Sequence, residues 1–82
     1  MNPPPPMGSL DLCAADLPRG AEAIVTAVEG ADGTAERLAA LGFAPGTAFR
    51  VVRAGEPLAL AVGESRVALG RAWAQALRVV VP

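Results

Sequence analysis

A ten-residue stretch near the middle of the chain, LAALGFAPGT at positions 38–47, constrains the fold more than any other feature. Gly42 can adopt the left-handed backbone conformation that ends a helix, and Phe43 can then pack on Leu38 in a Schellman-type ending. The Pro-Gly pair that follows suits the two central positions of a type II turn. The stretch therefore predicts a helix, its end and a tight turn in quick succession.

The helix that leads into this ending has a start signal of its own. Thr34 is a good N-cap residue, and Glu36 in the first turn is favourably placed for the helix dipole. Leu38 and Leu41 lie three residues apart and mark the expected buried face of the helix.

Short apolar runs separated by glycine- and proline-containing turns predict strands over residues 21–28, 48–53, 58–62, 66–69 and 77–81. Alternation in the second run places Phe49 and Val51 on the core face. Five short strands with one helix between the first two indicate a mainly β fold, a small barrel whose closure protects the strand edges.

The flanking segments add little regular structure to this barrel. Residues 71–76 are too few for an independent helix and predict one packed helical turn. Ser9 can cap another short helical turn through Leu10, Leu12 and Cys13. The expected fold therefore contains one or two short helices.

A chain of 82 residues supports one domain with a small core. Residues 1–8 contain four consecutive prolines, which favour an extended polyproline II tail, so we expect a disordered tail followed by a domain over residues 9–82. The alternative is that the tail is a ligand for a proline-binding groove, such as one in a neighbouring copy of the domain.

Charge and composition exclude several classes of function. The net charge is −1 and the seven basic residues are all Arg, which disfavours generic nucleic-acid binding. The chain has no His, no acid–base motif and no phosphate-binding glycine motif, so we expect no enzymatic activity and no cofactor. No run is long enough to span a membrane, and no signal segment is recognisable.

The single cysteine, Cys13, has no partner for a disulfide within the chain, which fits a reducing cytosol. It could ligate iron or become oxidised. A lone cysteine between Leu12 and Ala14 is more often a small buried apolar side chain, and we interpret it so.

The order of these segments resembles the FeoA family of bacterial ferrous iron uptake. The resemblance spans residues 10–81 and includes PLAL at 57–60 and VGESRVAL at 62–69. Its most specific part is the LxxLGFxPGT motif, carried here by Leu38, Leu41, Gly42, Phe43, Pro45, Gly46 and Thr47. Because each of these residues has a structural explanation, the motif indicates the fold and does not locate a site.

The resemblance implies an SH3-like barrel that acts as a cytosolic accessory protein. It would bind the cytosolic part of the membrane GTPase transporter FeoB and so promote or regulate transport. Through that partner it would be located at the inner membrane. The alternative is a metal- or small-ligand-sensing barrel like the C-terminal domain of metal-dependent repressors. No helix-turn-helix pattern is present, so we favour a stand-alone protein without nucleic-acid binding or membrane insertion. Neither the residues nor the resemblance decides whether the chain binds a second copy of itself.

Several residues are candidates for partner binding. Arg50, Arg53 and Arg66 fall on neighbouring strands with Arg71 just beyond, and they could form a basic patch for an acidic surface or a phosphate. The alternative is a solvated face balanced by nearby glutamates. Trp73 could be an exposed interface anchor or a plug for the open end of the core, and the shortage of large side chains favours the plug.

Three carboxylates around the loop before the helix, Glu29, Asp32 and Glu36, could offer oxygen ligands to a cation. Carboxylates without His or thiolate make a poor selective site for ferrous iron, and capping and solubility explain these residues adequately. We therefore predict no metal site, with these three residues as the weak candidates.

Overall fold

The computed structural model describes residues 12–82, so the predicted tail and the residues up to position 11 lie outside the described residues. Its strands are β1 Leu12–Cys13, β2 Glu22–Val28, β3 Ala48–Arg53, β4 Leu58–Val62, β5 Ser65–Leu69 and β6 Leu77–Val80. The helices are α1 Thr34–Ala40 and α2 Arg71–Gln75, with a 3₁₀ turn at Ala14–Asp16. The prediction of a mainly β fold with short helices is confirmed.

All six strands belong to one antiparallel sheet with the order β1-β6-β2-β3-β4-β5. β3, β4 and β5 form the expected meander. β6 returns to lie between β1 and β2, and the 3₁₀ turn lies against α2 and β6. Helix α2, which follows β5, therefore lies against the 3₁₀ turn that follows β1.

The predicted helical turn through Leu12 and Cys13 is wrong. These residues form strand β1, paired with Val79 and Arg78 of β6, and the 3₁₀ turn begins one residue later. β6 has a free edge on this side, and its backbone groups provide hydrogen-bond partners that a local sequence pattern does not reveal. The sheet therefore has one strand more than the sequence indicates.

Alternation along the strands builds the core as expected. Phe49 and Val51 of β3 are buried, as are Leu58 and Leu60 of β4. The two phenylalanine rings, Phe43 and Phe49, meet edge to face with their centroids 5.8 Å apart, an arrangement that aromatic quadrupoles favour. They are the largest apolar groups in a core otherwise made of aliphatic side chains.

Each of two strands contains a β-bulge that changes which side chains share a face. In β3 the register advances from Val51 opposite Leu60 to Arg53 opposite Ala59, so that Val52 is the extra residue. Simple alternation would place Arg53 on the core face with Val51, but the bulge moves it to the outer face with Arg50. A second irregularity lies at Thr26 in β2, whose hydroxyl donates to the Arg78 carbonyl at 3.1 Å.

The predicted helix ending is confirmed in detail. The Phe43 amide donates to the Leu38 carbonyl at 2.8 Å and the Gly42 amide to the Ala39 carbonyl at 2.9 Å, the two bonds of a Schellman motif. The Thr47 amide then donates to the Ala44 carbonyl at 3.0 Å and closes the turn. Both glycines, at positions 42 and 46, have positive φ.

Two details of this helix differ from the prediction. The N-cap is Gly33 and not Thr34, which is instead the first helical residue; Gly33 takes a left-handed conformation with φ of 89° that glycine tolerates best. Leu38 is fully buried, but Leu41 is 44% exposed. Leu41 is the C-cap, just beyond the last residue of this seven-residue helix, and Leu38 is the helix's buried residue.

Two glycine substitutions test the contribution of the helix ending. In Gly42→Ala the new methyl group would lie 2.8 Å from Val62 Cγ1, whereas in Gly46→Ala it would meet no atom within 4 Å. Both variants carry the cost of a left-handed alanine, about 1–2 kcal/mol. We expect urea unfolding to show a larger loss for Gly42→Ala, by about a further 1–3 kcal/mol for overpacking. Equal losses would contradict the close packing of Gly42 against β4.

Candidate functional site

An apolar groove of about 550 Å³ lies between α1, the end of β5 and α2. Its walls carry two of the exposed large apolar side chains, Leu41 at 44% and Trp73 at 36% exposure. The Arg37 side chain lies at the same groove. Other lining residues are Ala40, Ala68, Leu69 and Gly70.

Helix α2 is fixed so that Trp73 faces outward. The Glu56 carboxylate accepts hydrogen bonds from the Arg71 amide, with both oxygens 3.3 Å from the nitrogen. Ala74 is fully buried against the core. Trp73 is 36% exposed and forms a wall of the groove, so it is not buried in the core as the plug interpretation expects.

The indole of Trp73 forms a wall of two depressions. On one side is the large groove, and on the other a smaller depression of about 190 Å³ bordered by α1 and the loop before it, including Ala31 and Thr34. An aromatic ring with apolar recesses on both sides can bury much of its area against a partner.

The predicted basic patch is only partly assembled. Arg50 and Arg66 line one depression of about 270 Å³, joined there by Arg19, which was not among the predicted residues. Arg53 lies on the same outer face, but its guanidinium contacts the Pro57 carbonyl at 3.5 Å. Arg71 lies at the start of α2 and does not line this depression.

Arg19 could not be placed from the sequence, because its position depends on a long-range contact. The Gly20 amide donates to the Val51 carbonyl at 2.8 Å, and the Val51 amide donates to the Ala21 carbonyl at 2.9 Å. These bonds hold the turn that carries Arg19 against β3, next to Arg50. The Pro-Arg-Gly sequence indicates a turn but does not indicate that this turn lies against β3.

The three acidic candidates for metal binding do not come together. The Glu29 carboxylate pairs with Arg78 Nε at 3.5 Å, while Asp32 and Glu36 are exposed on the following turn and on α1. Within residues 12–82, no group of three or more His, Cys, Asp or Glu side chains is arranged to hold a metal ion.

Cys13 is buried, as expected, at 7% exposure. The Asp16 carboxylate accepts hydrogen bonds from the Cys13 thiol at 3.2 Å and from its amide at 3.3 Å. Burial raises the pKa of the Cys13 thiol, and the hydrogen bond and negative charge of Asp16 raise it further. The thiol is therefore held protonated, which makes it a weak nucleophile and metal ligand.

Over the described part of the chain, no helix has the length and apolar character needed to cross a bilayer.

Comparisons of the chain with known proteins identify its relatives. The family model of the FeoA domain matches residues 14–81. The zinc complex of FeoA from Stenotrophomonas maltophilia is 37% identical, with a TM-score of 0.68 over 87% of this chain and 89% of that one. That protein is described as a prokaryotic SH3 domain protein and a candidate activating factor of bacterial ferrous iron transport.

Two further structures extend the comparison. FeoA from Chlorobium tepidum is 25% identical, with a TM-score of 0.78 over 85% of this chain and 70% of that one. IdeR from T. acidophilum is 18% identical and shares the fold with a TM-score of 0.81, over 99% of this chain but 37% of its own. No curated protein sequence matches the chain.

The environment of Cys13 predicts slow alkylation. The raised pKa leaves little thiolate at neutral pH, so we expect iodoacetamide to react at least about tenfold more slowly with the native protein than with the urea-unfolded chain. Asp16→Asn removes the charge that disfavours the thiolate and should accelerate the native reaction. Equal rates for native and unfolded protein would contradict this environment.

The same shift predicts how stability depends on pH. Since the pKa of Cys13 is higher in the folded state, its contribution to stability is complete below the unfolded value of about 8.5 and is lost as the pH rises through the folded value. The free energy of unfolding should therefore fall in alkaline solution. In urea titrations repeated at a series of alkaline pH values, Cys13→Ala should remove the part of the decrease in unfolding free energy that is due to the thiol.

Proposed function

The chain belongs to the FeoA domain family, which is associated with ferrous iron transport, and on this premise we propose that it acts by binding another protein of that system. The partner is the cytosolic part of a FeoB-type ferrous iron transporter. The chain would work in the cytoplasm, at the inner membrane through this partner. Binding would promote or regulate transport without any chemical step on this chain.

The observation that carries this proposal is the exposed groove around Trp73. Tryptophan is among the side chains that most often dominate binding energy, particularly where neighbouring groups exclude water around it. Leu41 lies at the same groove and adds apolar area, and the Arg37 guanidinium can pair with a carboxylate of the partner. The groove therefore suits an apolar side chain of the partner flanked by an acidic residue.

The walls of the groove are held in place before any partner binds. Helix α1 is anchored by Leu38, and its end is fixed by the Schellman motif. Helix α2 is anchored by Ala74 and by the hydrogen bonds to Glu56. A preformed site loses little conformational entropy on binding, which supports a specific interaction by a domain this small.

The alternative function, a metal- or small-ligand-sensing barrel, has weaker support. It is favoured by the fold shared with IdeR and by the zinc bound to the Stenotrophomonas relative. Against it, the described residues bring no set of three metal-binding side chains together, and the Cys13 thiol is held protonated.

A calorimetric titration tests the proposed partner. Using the cytosolic part of the transporter, we expect Trp73→Ala to weaken binding by about 2 kcal/mol, or about 30-fold, as the loss of an interface hot spot does. Leu41→Ser should also weaken it. Val81→Ala is the matched control, because Val81 is 48% exposed and does not line the groove.

Folding of each variant is checked by urea unfolding, since both groove side chains are exposed and their replacement should change stability little. Wild-type affinity in both groove variants would show that the partner binds elsewhere. Absence of binding by the folded wild-type chain would contradict the proposed partner itself.

A thermal titration separates the two candidate functions. A ligand that binds only the folded state raises the melting temperature according to RT ln(1 + [L]/Kd). We expect ferrous ion, added without oxygen, and zinc ion to leave the melting temperature unchanged up to a hundredfold excess over protein, roughly the range in which a specific site would saturate. A saturable rise that Cys13→Ser abolishes would favour the sensing function.

A further inference from the structure

We propose that the depression lined by Arg19, Arg50 and Arg66, called here the arginine depression, binds a small anion of the diphosphate class. It lies on the outer face of the sheet and is separate from the groove at Trp73, since the two share no lining residue. The inference does not depend on the proposed transporter partner.

Strand register brings two of these arginines to the same depression. Arg50 of β3 is opposite Ala61 of β4, and Ala61 is in turn opposite Arg66 of β5. The two arginines are thus aligned across the sheet, two strand spacings or roughly 10 Å apart at the backbone. Ala61 between them is small and lines the neighbouring depression, whereas Arg50 and Arg66 both line the arginine depression.

The third arginine approaches from a turn. Arg19 is held beside β3 by the two backbone hydrogen bonds between the 20–21 segment and Val51. Its backbone is therefore fixed relative to the strand that carries Arg50. Three arginines from three separate parts of the chain therefore line one depression of about 270 Å³.

None of these three arginines forms an ion pair within the described residues. No carboxylate of residues 12–82 lies within ion-pairing distance, 4.0 Å, of Arg19, Arg50 or Arg66; the pair between Arg78 and Glu29 is elsewhere. Glu22 is opposite Arg50 in register and lines the neighbouring depression together with Arg50, so it is the carboxylate of the described residues placed to offset part of this charge. Because the net charge of the whole chain is −1, this group of three positive charges does not follow from the overall composition.

The chemistry of the three groups favours phosphate over carboxylate. Arginine binds either anion through paired N–H donors, and its charge is present at all physiological pH values. A carboxylate offers two oxygens and one charge, enough for one or two guanidinium groups. A diphosphate offers more oxygens and more charge, and can engage all three arginines together.

The size of the depression limits the ligand. Pockets that enclose a whole drug-sized ligand are about 300–1,000 Å³, and this one is smaller. It can therefore hold the diphosphate group itself, free or at the end of a larger molecule such as a nucleotide, whose remaining part would project into solvent.

Titration with pyrophosphate tests the inference on the full chain without any transporter. We expect saturable binding of one pyrophosphate per chain, and this binding should persist at an ionic strength of about 0.15 M. Binding is measured by calorimetry and by the amide chemical shifts of β3 and β5. Arg19→Ala and Arg66→Ala should each weaken it about tenfold or more, the loss expected for a charge-assisted hydrogen-bonded pair. Arg66→Lys should recover only part of the affinity, because lysine keeps the charge without the paired donors.

Arg53→Ala is the matched control: it removes the same charge from the same face of the sheet, but Arg53 does not line the depression. It should leave the affinity within about twofold of wild type, because a solvent-exposed charge that does not contact the ligand is largely screened by salt. Trp73→Ala should also retain binding, which separates this inference from the proposed function.

Two further probes are a nucleoside diphosphate, which tests the source of the diphosphate group, and a polyglutamate peptide, which tests whether the surface binds acidic proteins instead. A nucleoside diphosphate that binds at the arginine depression more tightly than pyrophosphate would identify a nucleotide ligand, and equal affinity would identify the diphosphate group alone; both support the inference. Absence of saturable pyrophosphate binding, or an equal loss in Arg53→Ala, would overturn it. So would binding of a polyglutamate peptide there without pyrophosphate binding, which would mark the surface as one for acidic proteins.

Discussion

The hydrogen bond from the Phe43 amide to the Leu38 carbonyl is the interaction on which the rest of this fold depends. It reverses the chain at the end of α1 and directs Phe43 into the core, where its ring meets Phe49. Immediately afterwards the Gly46 amide donates to the Val25 carbonyl, and the Val25 amide donates to the Thr47 carbonyl. The helix ending is therefore joined directly to β2, and it sets where β3 begins. In a domain with few large side chains, one such junction determines much of the packing.

The small core also explains why the candidate sites lie where they do. Alanine occupies several buried positions, among them Ala14, Ala23 and Ala74, so the core contains few large side chains. Trp73 is not one of them and lies between two recesses at the surface. On the outer face of β4, Ala61 lies between Arg50 and Arg66 in register, so no large side chain separates the two arginines. Each surface thus results from how little volume the neighbouring side chains fill.

Local chemistry was sufficient to predict the parts of the fold that depend on neighbours in sequence. The Gly42 ending, the turn at Gly46 and the alternation of Phe49 and Val51 all follow from residues within a few positions of one another. The SH3-like class, indicated by the family resemblance, agrees with the solved relatives.

The parts that were missed depend on distant segments. Strand β1 forms only because β6 has an edge available, and Arg19 reaches its position through bonds to Val51. Leu41 and Trp73 are apolar but exposed, so burial could not be inferred from residue type alone. The family motif identifies the barrel well and locates the candidate sites poorly, because most of its residues are committed to building the turn.

The bulge in β3 has a consequence for how this surface can vary among related chains. Because Val52 is an extra residue, everything after it changes sides relative to simple alternation. Arg53 therefore faces outward because the bulge absorbs Val52 and not because of simple alternation. Loss of Val52 would remove the bulge, and Arg53 would then directly follow Val51 and stay opposite Ala59 on the outer face. Related chains with a gap at this position would keep the same charged surface on a more regular strand.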